Sequence, residues 1–253
     1  MKVVLTGSTG FVGNEVLEQC IQHSYITHVY CVTRHQIDFK YAKHPKVTQI
    51  IHESFDSWPD HILNKLSSAG VEGCIWCLGG TGAKFKDKDE AQRVGIHYPI
   101  VAGEAFSNFL APNLSPSNQT GPRSNWRRFP FRFIFLSCWG AEENQFRSLW
   151  VWGALRKTKG AAEKGLFDVA DHSQEIEGKK CFEVVALRPG TVLAGGDAIS
   201  TIMREGVSTS IAVNRLARAA IRTALEGSSN GTRVLENKEC LGDDWAQVNS
   251  FTI

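Results

Sequence analysis

The octapeptide "TGSTGFVG" at 6–13 follows the apolar run "KVVLT" (2–6) and opens an amphipathic stretch near 11–22. A glycine turn in that setting leaves few folds open, because it asks for a buried strand that turns tightly into a helix. Gly7 permits the turn, Gly10 lets a bulky anion approach the backbone, and Gly13 allows close packing of helix on strand. Together with Ser8, Thr9, Phe11 and Val12 these residues lie at a helix N-terminus, where free amides and the positive end of the helix dipole favour a phosphate. The plainer reading is a turn that needs glycine only for its shape; the strand and helix on either side weigh against it.

The rest of the chain repeats the alternation. Further strands are expected at 28–33, 46–51, 73–78, 131–137 and 182–188, with helices near 59–68, 87–110 and 148–168. Apolar strands alternating with helices predict an α/β fold, a Rossmann-type doubly wound parallel sheet buried on both faces. Its ligand site belongs at the carboxyl edge of the strands. Residues 111–130, with four prolines and many polar residues, are expected to form an inserted surface loop. Its Arg123, Trp126, Arg127 and Arg128 make a short basic patch, more in keeping with a solvated loop than with nucleic acid. The tail, about 191–253, is expected to form a small substrate-side lobe, with an amphipathic helix at 213–226 and a late strand at 232–237. All 253 residues then form one domain.

Composition excludes little else. The net charge of +2 does not argue for a polyanionic partner, and no apolar run approaches the ~20 residues of a membrane span. The N-terminus lacks the pattern of a signal peptide, so a cytoplasmic location is expected. Seven cysteines, an odd number, then read as reduced thiols. Cys74 and Cys77 mimic a redox pair, but three residues apart on a strand they would point to opposite faces. No metal site is expected.

Arg34 ends the second strand, where a carboxylate usually holds the ribose of NAD. An arginine there suits a 2′-phosphate, which favours NADP(H). Asp56, after the third strand, is a candidate for the adenine amino group, and "CLGGTG" places Leu78, Gly79 and Gly80 beneath the cofactor.

Taken together, "TGSTGFVG", Arg34, "CLGGTGAK", "FIFLSCWGA", Lys159 and "LRPG" resemble the atypical, extended-type short-chain dehydrogenases/reductases over nearly the whole chain. "LSCWGAEEN", "KGAAEKGL" and "ENKECLG" are most similar to proteins of the HIV Tat-interacting protein type, NADPH-binding reductases also described in regulatory roles. The resemblance implies that Ser137 polarises a substrate carbonyl, that Lys159 binds the nicotinamide ribose, and that Pro189 and Gly190 pack near the carboxamide.

It also exposes a gap. The residue four before Lys159, where that superfamily carries its proton-donating tyrosine, is Leu155. Hydride transfer to a carbonyl leaves an alkoxide, and a hydrocarbon cannot protonate it. Ser137, Cys138, Lys159, His97 and Tyr98 are the candidate replacements, and Tyr98 joins Ser137 and Lys159 as a catalytic candidate. Trp139, Trp150 and Trp152 either wall an apolar substrate pocket or pack as core and lid.

Three readings stay open: an NADP(H)-dependent oxidoreductase acting on a small organic substrate through an altered proton relay, a non-redox enzyme such as an isomerase, dehydratase or cyclase, and a cofactor-sensing regulator with a protein partner. A homodimer is compatible with each.

Overall fold

The computed structural model describes residues 1–80, 85–116, 128–194, 210–228 and 231–242. Seven strands form one parallel sheet: β1 (Lys2–Thr6), β2 (His28–Thr33), β3 (Val47–Ile51), β4 (Gly73–Trp76), β5 (Phe131–Leu136), β8 (Phe182–Arg188) and β11 (Val234–Glu236). Their order is β3–β2–β1–β4–β5–β8–β11, so the chain leaves β1 to one side and returns to its other side at β4. That reversal opens a crevice at the carboxyl ends of β1 and β4. Two short pairs lie outside the sheet, antiparallel β6 (Glu175–Ile176) with β7 (Lys179–Lys180) and parallel β9 (Thr191–Leu193) with β10 (Ser210–Ala212).

The period of two along each strand divides the apolar residues between two cores. Phe131, Phe133 and Phe135 of β5 and Phe182, Val184 and Ala186 of β8 enter one; Ile134, Val185 and Leu187 enter the other. The first core packs under α3 (Asp60–Ala69), α5 (Tyr98–Phe109) and α6 (Gly153–Asp171), the second under α1 (Phe11–Gln22) and α7 (Val213–Glu226). Burying each phenylalanine contributes roughly 1.5–3 kcal/mol, so this ladder anchors the middle of the sheet. Cys74 belongs to the first core and Cys77 packs against the second, and all seven cysteines are free.

Several boundaries differ from the sequence reading. The stretch 87–110 is not one helix: α4 (Lys88–Gln92) passes through a π-turn at Arg93–His97 into α5. Pro99 has no N–H to donate back to residue 95, and the wider turn absorbs the mismatch with an i→i−5 bond from the Tyr98 amide to the Arg93 carbonyl. The helix expected at 148–168 begins only at Gly153, because Trp152 is left-handed at its N-cap (φ 53°). Segment 111–130 is anchored rather than superficial at its start, where Ala111 and Leu114 are buried in a 3₁₀ turn; residues 117–127, including Arg123, Trp126 and Arg127, lie outside the described residues.

The described part of 191–253 divides. Helix α7 repeats small and apolar residues at helical spacing (Leu216, Ala217, Ala220, Ile221, Ala224) and lies in the second core beside Leu17 and Cys20 of α1. Strand β11 pairs with β8 and extends the main sheet. The β9–β10 pair stands apart from the sheet, and residues 195–209 and 243–253 lie outside the described residues. A short α2 (Phe39–Ala42) starts at Asp38, whose carboxylate caps the Lys40 amide at 2.9 Å; α8 (Asn237–Leu241) follows β11. No helix among the described residues is long and apolar enough to cross a membrane.

Candidate active site

The glycine turn sits at the β1/β4 crevice. Gly7 is left-handed (φ 69°), and a Cβ there would fall 2.7 Å from the Cys77 carbonyl carbon; a Cβ on Gly13 would fall 2.1 Å from the Gly7 carbonyl oxygen. The Gly10 amide closes the turn on the Gly7 carbonyl at 2.9 Å. Gly10 is also the N-cap of α1, with no side chain capping that end and no acidic residue in the first turn. The first amides of α1 therefore have no acceptor from the chain's own capping groups, which is the condition an anion needs.

Opposite lies the segment after β4. A Cβ on Gly79 would sit 3.3 Å from Lys159 Nζ, a tight contact, and the φ of 148° there is one that L side chains rarely adopt. Lys159 is buried, and its ammonium donates to the Leu136 carbonyl at 2.6 Å and lies 4.6 Å above the Phe135 ring. Burial lowers its pKa; the nearby Cys138, Cys77 and Glu163 act the other way. Its helical neighbours differ: Lys157 donates to the Gln145 carbonyl and Lys164 pairs with Asp168 at the surface. Burial raises the thiol of Cys138 and pushes Cys77 up to about 12, so neither presents a thiolate at neutral pH.

Arg34 stands exposed just past β2, without an ion-pair partner among the described residues. Asp56 accepts from Ser54 Oγ at 2.7 Å and lies 3.8 Å from His97 Nε2. It does not cap α3, whose N-cap is Pro59. Leu78 meets the turn, since its amide would lie 2.8 Å from a Cβ on Gly7, and Gly80 follows Gly79 on the same segment. The Pro189–Gly190 loop is pinned from two sides: the Trp139 amide donates to the Pro189 carbonyl at 2.7 Å, and the Gly190 amide donates to Asn237 Oδ1 at 2.8 Å. Tyr98 goes elsewhere. It is 8% exposed and packs against Phe55 in the first core, ring centroids 5.9 Å apart.

Ser137 directly follows β5, and its hydroxyl is engaged. It donates to Oε1 of Glu163, a wholly buried carboxylate one turn beyond Lys159 on α6. Arg188 Nε reaches the same carboxylate at 3.0 Å, and Arg188 Nη1 reaches Glu236 at 3.1 Å. The bond to Glu163 raises the Arg188 pKa further above its ordinary value. The sequence reading missed Glu163, Arg188, Glu236 and Asn237. A signal existed: Glu163 falls at i+4 from Lys159 and i+8 from Leu155, and a carboxylate on a helix's buried face is almost never left unpaired.

Beyond β5, Trp139, Leu149, Trp150, Val151, Arg147 and Arg156 line an open cavity of about 380 Å³. Trp139, Trp150 and Trp152 are 48%, 101% and 67% exposed, which rules out core packing for all three. The Arg156 guanidinium lies 5.3 Å over the Trp139 ring. No group of His, Cys, Asp and Glu among the described residues is arranged to hold a metal.

Neither a protein-family model nor a curated protein matches this sequence. Solved structures do match in shape. A yeast methylglyoxal/isovaleraldehyde reductase complexed with NADPH is 14% identical, with a TM-score of 0.64 over 93% of this chain and 77% of its own. A short-chain dehydrogenase/reductase of Saccharomyces cerevisiae is 13% identical, with a TM-score of 0.63 over 96% and 98%. A UDP-glucose 4-epimerase of Thermotoga maritima is 15% identical, with a TM-score of 0.59 over 93% and 76%. The chain thus shares the Rossmann-type α/β fold of these structures.

Proposed function

We propose that this chain is an NADP(H)-dependent oxidoreductase that acts on a small organic substrate through a proton relay without the usual tyrosine. The observation that carries the reading is the uncapped N-terminus of α1 at the β1/β4 crevice, facing Gly79 and the buried Lys159. These residues fit a dinucleotide: the α1 amides would take the pyrophosphate, Gly79 leaves room for a ribose, and Lys159 would donate to its hydroxyls. The exposed Arg34 supports a 2′-phosphate and therefore NADP(H). The fold relatives include NADPH-bound reductases, which agrees with this choice, and an NAD-bound protein. When bound, the nicotinamide supplies two-electron exchange with a substrate carbon.

The chain's own residues orient and exclude. Trp139 and Trp150, with Leu149 and Val151, offer an apolar wall suited to a small hydrophobic or aromatic substrate. Leu155, one turn before Lys159, contributes no proton. The test is a titration with NADPH and NADH followed by tryptophan quenching. NADPH binding at micromolar strength, with NADH weaker by about tenfold or more, supports the reading; binding of neither overturns it.

A further inference from the structure

The resemblance would have the Ser137 hydroxyl donate to a substrate carbonyl, yet in this structure its single proton is committed to Glu163 Oε1. A serine hydroxyl has one proton and two lone pairs, so Ser137 in this state can only accept from a ligand. The group that suits it is a hydrogen-bond donor, a hydroxyl. Glu163 is wholly buried, and Arg188 and Ser137 occupy its oxygens as donors, the arrangement of an ionised carboxylate.

We propose that Glu163, acting through Ser137, takes the proton of a small secondary alcohol. It would thereby serve the role left vacant at Leu155. The inference rests on the redox reading above. In the oxidation direction the substrate O–H breaks and its proton passes to Ser137 Oγ as the Ser137 O–H breaks and its proton passes to Glu163 Oε1. The carbinol carbon loses its hydrogen with two electrons to the oxidised nicotinamide, and a C=O bond forms. The products are ketone, reduced cofactor and neutral Glu163; reduction runs the same relay backwards.

The charged and titratable groups around this carboxylate are Arg188 on β8, Glu236 on β11, Lys159 on its own helix, and Cys138 after β5. Arg188 and Lys159 bring positive charge to it, while Glu236 draws part of the Arg188 guanidinium away. Helix spacing puts Leu155, Lys159 and Glu163 on one face of α6, so the acid–base group lies a turn beyond the lysine instead of a turn before it.

Two measurements test this. The first needs no turnover: infrared spectra of protein carrying ¹³C-labelled glutamate, with the Glu163 carboxylate band assigned by its loss in Glu163→Gln. Ser137→Ala should shift that band; an unchanged band overturns the inference. The second follows NADP⁺ reduction with 2-butanol, cyclohexanol and 1-phenylethanol. Glu163→Gln is expected to keep cofactor affinity within about twofold, to lower kcat by about 10²- to 10⁴-fold, and to lose the acidic limb of the pH–rate profile. Glu163→Asp should restore part of the rate and that limb. Turnover with the same profile in Glu163→Gln overturns this inference alone. No turnover of any alcohol by the NADP⁺-loaded wild type overturns the redox reading and the inference with it.

Discussion

Arg188 and Glu163 form a forked ion pair between β8 and α6, with Arg188 Nε 3.0 Å from Oε1 and 3.2 Å from Oε2 of a carboxylate that is wholly buried. Arg188→Met would leave that charge without its counter-ion. The expected loss is roughly 3–5 kcal/mol of unfolding free energy, read from urea denaturation. Replacing Glu163 by Leu in the same chain should recover much of it, because an apolar pair carries no desolvation penalty. A loss of less than about 1 kcal/mol for Arg188→Met would contradict the pairing.

Gly13 has no room for a side chain, since its Cβ would lie 2.1 Å from the Gly7 carbonyl oxygen. Backbone cannot swing aside as a flexible side chain can. Gly13→Ala should therefore destabilise by about 1–3 kcal/mol or more and disrupt the turn. Gly95→Ala is the milder comparison, because its Cβ would meet Thr158 Cγ2, a side chain that can rotate. Thermal melts of both variants give the order; equal melting temperatures would refute the argument.

Arg34 is exposed and has no acidic partner among the described residues, so its removal should leave the fold intact. Arg34→Ala is expected to weaken NADPH about 10- to 100-fold, the usual worth of a charge-assisted bond, with NADH affinity nearly unchanged. Parallel fluorescence titrations would show it. An equal loss for both cofactors would place the 2′-phosphate elsewhere.

Burial holds the Lys159 ammonium below the ordinary lysine pKa of 10.5. The unfolded chain then binds that proton more tightly than the folded one does. Stability from this group is therefore gained as pH rises through the window from the lowered value up to 10.5. Lys159→Met lacks that gain. Urea midpoints of the two proteins at about pH 8 and about pH 10 should change differently, the wild type being favoured at the higher pH relative to the variant.

Leu155 can be given back a phenol. Leu155→Tyr places a tyrosine one turn before Lys159, and NADPH oxidation with simple ketones is expected to rise by about tenfold or more. A variant that folds and binds NADPH but shows no gain would mean that the Ser137–Glu163 arrangement does not present a carbonyl to position 155.

Much of the architecture was legible because it is written locally. The strand–glycine–helix order at 2–22 needs no partner to be recognised: a Cβ-free turn and a period change from two to nearly four are properties of neighbours in sequence. Strands β1 and β2 and helices α1 and α7 occupy the spans that periodicity assigns. The boundaries that slipped depend on contacts or bond patterns that periodicity does not record. The π-turn before Pro99 is a choice among helical bond patterns, and β11 became the last strand of the main sheet only because β8 presented a free edge.

The sequence by itself determined the alternation of buried strands and helices, the glycines at the β1/β4 crevice, Lys159 at its position on α6, and the absence of a tyrosine at 155. Only the tertiary structure decided which way the side chains at the carboxyl edge turned. It buried Tyr98 against Phe55, kept the tryptophans after β5 exposed, and engaged the Ser137 hydroxyl with a carboxylate that Arg188 holds from another strand. The physical reason is range. Periodicity and turn chemistry act over a few residues, whereas a buried charge is tolerated only when distant segments converge to pair it, and that convergence exists only once the sheet has formed.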